Sequence, residues 1–492
     1  MAITGVAAAG YTAAPLKQTL ATNYIDFAAA GASDGWAQQY LPDLMAAEAE
    51  VFGNRTISGF LAQVGAEEAM AADQVIWSEQ GRLHLSYKAV ALTVSGTTGT
   101  LKFDSGTTDA DGKSVESTTS AILHGIRPGD MILVSDADAT ARGYVTAVAA
   151  VDGSTAANSG KVTWERYDGA NIASSSLAAG DVSVLVYGSE YAKGVEGRAG
   201  ANAPSFQSRT NKPIILKDKY EVSGSDASQI GWVEVSGEDG QNGYMWYLKA
   251  AGDTKARFAD YLEMAMLESV DAAAAGTTSG GHRGGKISGT EGLFSALESR
   301  GNVANTMADM TDYDELIAEL DANGAIEENM MFMDRTTSLK LDDILAAQNS
   351  YGSGGTSYGV FDNSEDMAIN LGFSGFRRGS YDFYKSDFKY LNDASTRGLI
   401  NATDATNAIR GVLIPAGVSS VYDQNLGKNL KRPFLHVRYR ASNLESRKMK
   451  SWTTGSVGAV TSDLDAMEMH MLSERCLVTQ GANNFVLFKG AA

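Results

Sequence analysis

Gly280-Gly281-His282-Arg283-Gly284-Gly285-Lys286 has the glycine and lysine spacing of a loop that cradles phosphates with backbone N–H groups. Such a loop needs Ser or Thr next, to hold magnesium, and this chain has Ile287. The run also follows helical rather than strand-like sequence, so phosphate chemistry is not expected of it. Gly355-Thr356-Ser357-Tyr358-Gly359 matches a nucleophile elbow, in which a sharp strand-to-helix turn exposes a serine hydroxyl. Here it sits inside SYGSGGTSYG, with neither the buried strand before it nor a clear helix after it, and in a chain with 53 glycines chance accounts for the match. Asp109, Asp111 and Gly112 resemble part of a calcium loop, but Thr107 and Thr118 occupy its first and last ligand positions, so a β-turn is expected. His84, His124, His282, His436 and His470 show no spacing that puts two imidazoles on one helical face or in one metal hairpin. The acidic pairs Glu327-Glu328 and Asp342-Asp343 read as solvated faces rather than a general acid and base. No catalytic residue, metal ligand or cofactor is therefore expected.

One local charge pattern remains. Lys428, Lys431, Arg432, Arg438, Arg440, Arg447, Lys448 and Lys450 are opposed within their own stretch only by Glu445. In a chain of net charge −19 such a run suits an acidic neighbouring subunit or weak contact with DNA, or else it is a solvated strand and loop. The overall acidity argues against a dedicated nucleic-acid binder and against docking on anionic membranes. Cys476 is the only cysteine, which excludes an intrachain disulfide and suits a reducing compartment. There is no apolar run of about 18 residues, and MAITGVAAAGYTAAPLKQ lacks the charged head and apolar core of a signal peptide, so the expectation is a soluble protein made in the cytoplasm.

A chain of 492 residues with 44% hydrophobic content, 53 glycines and 7 prolines has room for two or three ordered, loop-rich domains or lobes. Its organising stretch is Gln241 to about Ala274, where Tyr247, Ala251, Phe258, Leu262 and Ala265 recur at helical spacing and charges of both signs occupy the other face. Residues 1–50 are Ala- and Gly-rich with few large anchors, as in an arm that orders on something else. Between Leu92 and Gly188, short β-branched runs alternate with Gly and Asp turns, with strands expected at Thr100–Phe103, Ala121–His124, Met131–Val134, Tyr144–Val151, Lys161–Trp164 and Val182–Tyr187. That spacing predicts a small antiparallel sandwich or barrel inserted into a longer loop. The stretch from Gly194 to Val235 reads as a projecting hairpin, and CLVTQGANNFVLFKG as a closing hairpin turning at Gly481–Asn484.

Taken in order, these elements resemble the major capsid proteins of tailed double-stranded DNA bacteriophages, the Hong Kong 97-type or HK-97-like family. The resemblance rests on the N-terminal arm, the long β-loop, a spine helix over Tyr244–Ala273, the strand, turn and helix of MMFMDRTTSLKLDDILAAQ, and the closing strands of HMLSERCLVTQGANNFVLFKG. It implies an α+β fold with an N-arm at 1–50, an extended β-loop at 51–91 and 189–240, and an inserted all-β domain at 92–188. A peripheral domain with the spine helix would take 241–324 and 426–492, and an axial domain 325–425. It further implies a structural protein rather than an enzyme, one that self-assembles into an icosahedral shell as a homo-oligomer of hexamers and pentamers.

The interface residues implied are Phe206, Ile214, Leu216, Tyr220 and Trp232 in the loop and Tyr244, Trp246 and Tyr247 at the helix start, with Arg209, Arg257, Arg438 and Arg440 making charge contacts. Expected partners are a scaffolding protein, a portal, a decoration protein and packaged double-stranded DNA held by weak non-specific contact, with no membrane. Synthesis in the host bacterial cytoplasm and residence in the virion capsid follow. A phage tail or surface-display protein is the alternative reading, and a hydrolase using Ser357 a more distant one.

Overall fold

The computed structural model describes residues 61, 66–104, 106–115, 123–149, 160–172, 177, 180–198, 200–202, 206–225, 234–236, 242–271, 289–305, 307–348, 375–404, 406–416, 418–423, 428–456 and 460–490. The chain divides into two compact units, Met1–Arg55 and Thr56–Ala492. The first, with the expected N-terminal arm, lies outside the described residues, as do the phosphate-loop-like and elbow-like motifs.

Strands β1 (Ala66–Met70) and β2 (Val75–Gln80) precede a run of seven: β3 (Ser86–Ser95), β4 (Thr98–Lys102), β5 (Thr108–Asp109), β6 (Asp130–Ser135), β7 (Thr140–Val148), β8 (Lys161–Arg166) and β9 (Gly180–Ser189). The order β4-β8-β7-β6-β9-β3 is antiparallel throughout, and β3 also pairs with β4, so six strands close into a barrel with β5 beside β3. Period-two burial drives this closure: Ile132 and Val134 in β6, Val145 in β7, and Val162 and Trp164 in β8 point into one apolar core with Leu101, Phe103 and Ile126. Trp164 fits because β4 and β7 present Gly99 and Gly143 to its indole. A Cβ at either position would fall within the ring's van der Waals envelope.

Arg127-Pro128-Gly129-Asp130 forms the tight turn into β6, with Gly129 at φ 87° and the Asp130 N–H donating to the Arg127 carbonyl at 3.1 Å. Of the strand expected at Ala121–His124, the described part, Leu123 and His124, is not strand. His124 lies in a loop whose backbone serves this turn, since Arg127 Nη1 donates to the His124 carbonyl at 3.2 Å, and residues 121–122 lie outside the described set.

Ala89 is the one described non-glycine residue with positive φ, at 54°, in a bulge of β3 where the register against β9 shifts between Tyr87 and Val90. A left-handed alanine costs about 1–2 kcal/mol, partly offset in glycine by a more flexible unfolded chain. Ala89→Gly is therefore expected to stabilise the barrel by about 0.5 kcal/mol, read as a raised urea midpoint; a lowered midpoint would show that the Ala89 methyl contributes packing that outweighs the strain.

After the barrel come β10 (Phe206–Asn211), β11 (Ile214–Ser223), β12 (Glu234–Ser236), β13 (Asn242–Tyr244), α1 (Met245–Glu268), α2 (Leu293–Arg300), β14 (Asn302–Ala304) and α3 (Met310–Ala322). Next are β15 (Glu328–Met333), α4 (Arg335–Gln348), β16 (Gly375–Arg378), β17 (Tyr381–Asp387), α5 (Lys389–Asn392), α6 (Arg397–Thr403) and β18 (Ile409–Pro415). The chain ends with β19 (Val418–Asp423), β20 (Lys428–Pro433), β21 (Leu435–Arg440), β22 (Lys450–Gly455), β23 (Ala466–Thr479) and β24 (Val486–Lys489).

β2 and β10 run antiparallel, Gln80 opposite Phe206 and Val75 opposite Asn211, so the barrel is carried between the two strands of a ribbon. At its base Arg82 bridges three parts: its Nε pairs with Asp111 at 3.1 Å, and its Nη2 donates to the Ala322 carbonyl and to Asn323 Oδ1 at the end of α3. The expected projecting hairpin is not closed on itself. β11 leaves β10 and pairs along ten residues with β23, whose length offers it a larger ladder than β10 could.

β23 organises the second sheet: opposite its β11 edge it pairs with β22 and then β21, and β1 lies parallel to β21. One face of this sheet receives α1. Phe258 and Leu262, four residues apart, pack with Met471 and against Leu216, Met449 and Met469, and Met266 and Leu267 continue into the next core. The helix is shorter than the spacing suggested: residues 242–244 belong to β13, and past Glu268 the chain turns into a bridge between Asp271 and Gly289.

The third sheet, β14-β24-β18-β15-β17-β16, is mixed, with β14–β24 and β15–β17 parallel. Successive residues face opposite ways: Met331, Met333, Leu413 and Phe488 meet Tyr313, Leu316 and Leu341 of α3 and α4. Phe332, Val412 and Leu487 meet Leu293 and Leu297 of α2 with Phe388 and Leu391. The result is α+β, with the expected strand-turn-helix at β15 and α4, where Asp334 Oδ1 accepts the Thr337 N–H at 2.9 Å. Residues 302–322 and 486–489, grouped with the peripheral lobe in the sequence reading, share this sheet and core with 325–425.

The expected closing hairpin is also absent, since β23 and β24 belong to different sheets. Gly481 at φ 60° and one 3₁₀ turn, Ala482–Asn484, carry the chain across, because Leu477 and Leu487 flank one shared core and β24 fits between β14 and β18 in the third sheet.

Candidate assembly surface

The residues singled out for subunit contact fall on the ribbon, on β11, on α1 and on β21. Phe206 opens β10, Tyr244 closes β13, Trp246 and Tyr247 lie in the first turn of α1, and Trp232 is outside the described residues. β11 alternates: Ile214, Leu216 and Tyr220 are half-buried on one face, while Ile215, Lys217 and Lys219 are exposed on the other. Ile214 and Leu216 already pack within the chain, Leu216 beneath α1 and Ile214 against the core shared with the third sheet. β11 thus presents one committed face and one open one. Ile215, 52% exposed, is the large apolar side chain on the open face.

All four arginines have acidic partners in their own chain. Arg209 Nε lies 3.7 Å from Glu79 across the ribbon, and Arg257 Nη2 lies 3.2 Å from Asp218, tying α1 to β11. Arg438 Nη2 meets Glu68 at 2.9 Å, and Arg440 Nε meets Glu474 at 2.8 Å while its Nη2 pairs with Asp73. Glu474, only 5% exposed, also receives Arg447 at 2.8 Å, and Glu67 serves both Lys448 and Arg475. Arg438, Arg440, Arg447 and Lys448 of the basic run are therefore countered by acids that the fold brings from β1, the segment after it and β23, which no local window shows. Burial holds Arg475 below the usual guanidinium range, and it pushes the Cys476 thiol up to about 12, leaving that cysteine a packed apolar residue.

The other chemistry-bearing residues resolve into structure. Asp109 Oδ1 accepts the N–H groups of Asp111 and Lys113, the geometry of a turn, and Thr107 Oγ1 donates to the Ala89 carbonyl. Asp342 is not on a solvated face: it is 8% exposed and pairs with Lys385 Nζ at 2.5 Å, joining α4 to β17. Glu327 and Glu328 are exposed, as expected. His470 stacks on Trp452 at 5.2 Å and lies 3.2 Å from Glu468. Among the described residues no group of three or more His, Cys, Asp or Glu side chains is placed to hold a metal, and no helix is long and apolar enough to cross a membrane.

Sequence reasoning missed the outside of the barrel. Leu185 is 39% exposed, Tyr187 46% and Tyr167 47%, on a surface whose remaining strands carry Lys, Thr and Ser at outward positions. The signal was present as apolar residues at both alternating positions of β6 and β9, a pattern easily read as core on both faces.

No protein-family model matches the chain, and no curated protein matches it. Among solved structures it is similar to one titled "Capsid of native GTA particle computed with C5 symmetry", at 9% identity over 94% of this chain and 100% of that one, with a TM-score of 0.39. It is also similar to a chain of Microbacterium phage Oxtober96, at 8% identity over 92% and 96% with a TM-score of 0.34. A third, "Capsid structure of the Cyanophage P-SCSP1u", shares 12% identity over 62% and 81% with a TM-score of 0.32. At TM-scores below 0.5 these likenesses carry no part of the functional reading.

Proposed function

We propose that this chain is the major capsid protein of a tailed double-stranded DNA bacteriophage, a structural subunit with an HK-97-like fold. The observation that carries the reading is the order of parts: a two-stranded ribbon bearing a barrel, then a 24-residue helix lying over one sheet, then a second sheet reached by β24. The ribbon and α1 correspond to the extended loop and spine helix of that family, the β23 sheet to its peripheral lobe, and the six-stranded sheet to its axial lobe. The barrel, residues 86–189, is an inserted domain at the end of the ribbon. In this reading the open face of β11 and the ribbon side chains lie against neighbouring subunits in hexamers and pentamers, where apolar area covered by no single chain becomes buried. The intrachain pairing of Arg438 and Arg440 supports their holding β1 and β23 in place. Contact with packaged DNA would then be weak and non-specific. Scaffolding, portal and decoration proteins are the partners of such a subunit, the virion its place, and the host cytoplasm its site of synthesis. It needs no catalytic residue or cofactor.

Electron microscopy of the expressed chain, alone and with its scaffold, tests this. Closed polyhedral shells are expected. Rings or tubes would transfer the reading to a tail protein, and a chain that stays monomeric under every assembly condition would remove it.

A further inference from the structure

The barrel and the rest of the chain are two packed parts joined at a narrow waist. The barrel's apolar core runs from Tyr87 to Val184 and, among the described residues, takes in no buried side chain from the other part. The ribbon belongs to that other part: Trp77 packs with Met70, Cys476 and Val478, and Glu79 Oε1 accepts the Gly481 N–H at 3.1 Å. Closer in, the chain moves with the barrel. Leu85 packs on the barrel core and its carbonyl accepts the Val186 N–H at 3.0 Å, while on the exit side Arg198 pairs with the buried Asp130 at 2.8 Å. On the entry side this leaves 81–84 as the link between the two parts, and Leu83 within it is 82% exposed.

Arg82, in this link, touches both parts at once. Its backbone N–H donates to Asp111 Oδ2 at 3.1 Å and its Nε pairs with Asp111 Oδ1 at 3.1 Å, so it grips a single carboxylate on the turn after β5. Gly81 leaves room for that grip, since a Cβ there would lie 2.6 Å from Asp111 Oδ2. On the other side Arg82 Nη2 donates to the Ala322 carbonyl at 2.8 Å and to Asn323 Oδ1 at 3.1 Å, at the C-terminal end of α3. That helix has no basic residue in its own last turn, where Glu319 and Asp321 lie. Arg82 therefore supplies the cation that the helix end favours.

The planar fork of a guanidinium can span two such contacts, which a lysine ammonium cannot. Arg82 and Asp111 are each 42% exposed, so water and salt compete for the pair. An exposed ion pair of this kind biases a two-state equilibrium by about fivefold or less. We infer that Arg82 is a latch between barrel and α3: closed, it holds the barrel at one angle to the rest of the chain, and open, it lets the barrel turn on its links. The closed state predominates at low salt, and both are populated at high salt. The latch lies within one chain, so it does not rest on the capsid reading.

Spin labels on the full-length chain test it, one at Ala137→Cys in the exposed turn between β6 and β7 and one at Ala318→Cys on the exposed side of α3. The native Cys476 is fully buried and stays unlabelled. Dilution into unlabelled chains restricts the reading to distances within one chain. At low salt the parent should give one narrow distance distribution. Arg82→Ala should widen it by about 10 Å, within the reach of a fully extended 81–84 link. Arg82→Lys should widen it as much, and Asp111→Asn, which leaves Arg82 and α3 intact, should widen it partway. Salt at about 1 M should broaden the parent towards the Arg82→Ala distribution and leave that variant unchanged. A parent already as broad as Arg82→Ala, a variant as narrow as the parent, or a parent that stays narrow in high salt would overturn the latch.

Discussion

Asn211→Leu, at the end of the ribbon away from the barrel, is expected to cost about 4 kcal/mol. Asn211 is 4% exposed and uses its whole amide. Its Nδ2 donates to the Leu477 carbonyl at 2.6 Å and to the Glu291 carbonyl at 3.0 Å. Its Oδ1 accepts from the Lys212 N–H at 2.8 Å, the Glu291 N–H at 2.9 Å and the fully buried Thr290 hydroxyl at 3.1 Å. One side chain thus joins the end of β10, the middle of the chain before α2, and the last turn of ladder in β23. Leucine matches the volume and removes every bond, leaving two or three buried partners without water, at about 1–3 kcal/mol each.

Asn211→Asp separates shape from hydrogen bonding. A carboxylate still accepts the three donors but points an anionic oxygen at two carbonyls. It should therefore be worse than wild type at pH 7 and recover relative to wild type as acid protonates it. Urea unfolding of the three proteins at two pH values measures both effects. A leucine cost below about 1 kcal/mol would mean that the surrounding groups find other partners.

Asn211 also shows where sequence reading stops. In the barrel, alternation is a local property, and strands expected from it coincide with β4, β6, β7, β8 and β9. The same holds for NMMFM feeding α4 through Asp334. Partner choice is not local. β10 and β11 are separated by Lys212-Pro213 and read as a hairpin, yet β11 joins a strand more than 240 residues away, because the ten-residue ladder with β23 satisfies more backbone groups. β23 and β24 fail as a hairpin for the same reason. The basic run around Arg438 and Arg440 looked unopposed because its acids, Glu67, Glu68 and Glu474, arrive through β1 and the far end of β23. Asn211 itself gave no signal at all, since a single buried amide has no periodicity.

Acidification should loosen the barrel through His124, with a loss of about 3 kcal/mol between neutral pH and pH 4. The imidazole is 1% exposed, stacks on Phe103 at 4.2 Å, and among the described residues has no hydrogen-bond partner on either ring nitrogen. Burial, helped by the positive charge of nearby Arg127, lowers its pKa from 6.5 to about 4. The sign follows from proton counting. Above pH 6.5 the ring is neutral in folded and unfolded chains, and it contributes nothing to the pH dependence. Between 6.5 and 4 the unfolded chain takes up a proton that the folded barrel refuses, so stability falls as pH falls; below 4 both states are protonated and the loss is complete.

His124→Phe keeps a ring against Phe103 and removes the titration. Carboxylates elsewhere titrate in both proteins, so the difference between the two stability curves isolates His124. That difference should be flat above pH 6.5 and grow in favour of the phenylalanine variant down to about pH 4, followed by urea unfolding with Trp164 fluorescence as the barrel probe. Parallel curves would mean that the folded barrel accepts the proton, which requires a partner for the imidazolium that the packed core of Phe103 and Tyr87 does not offer.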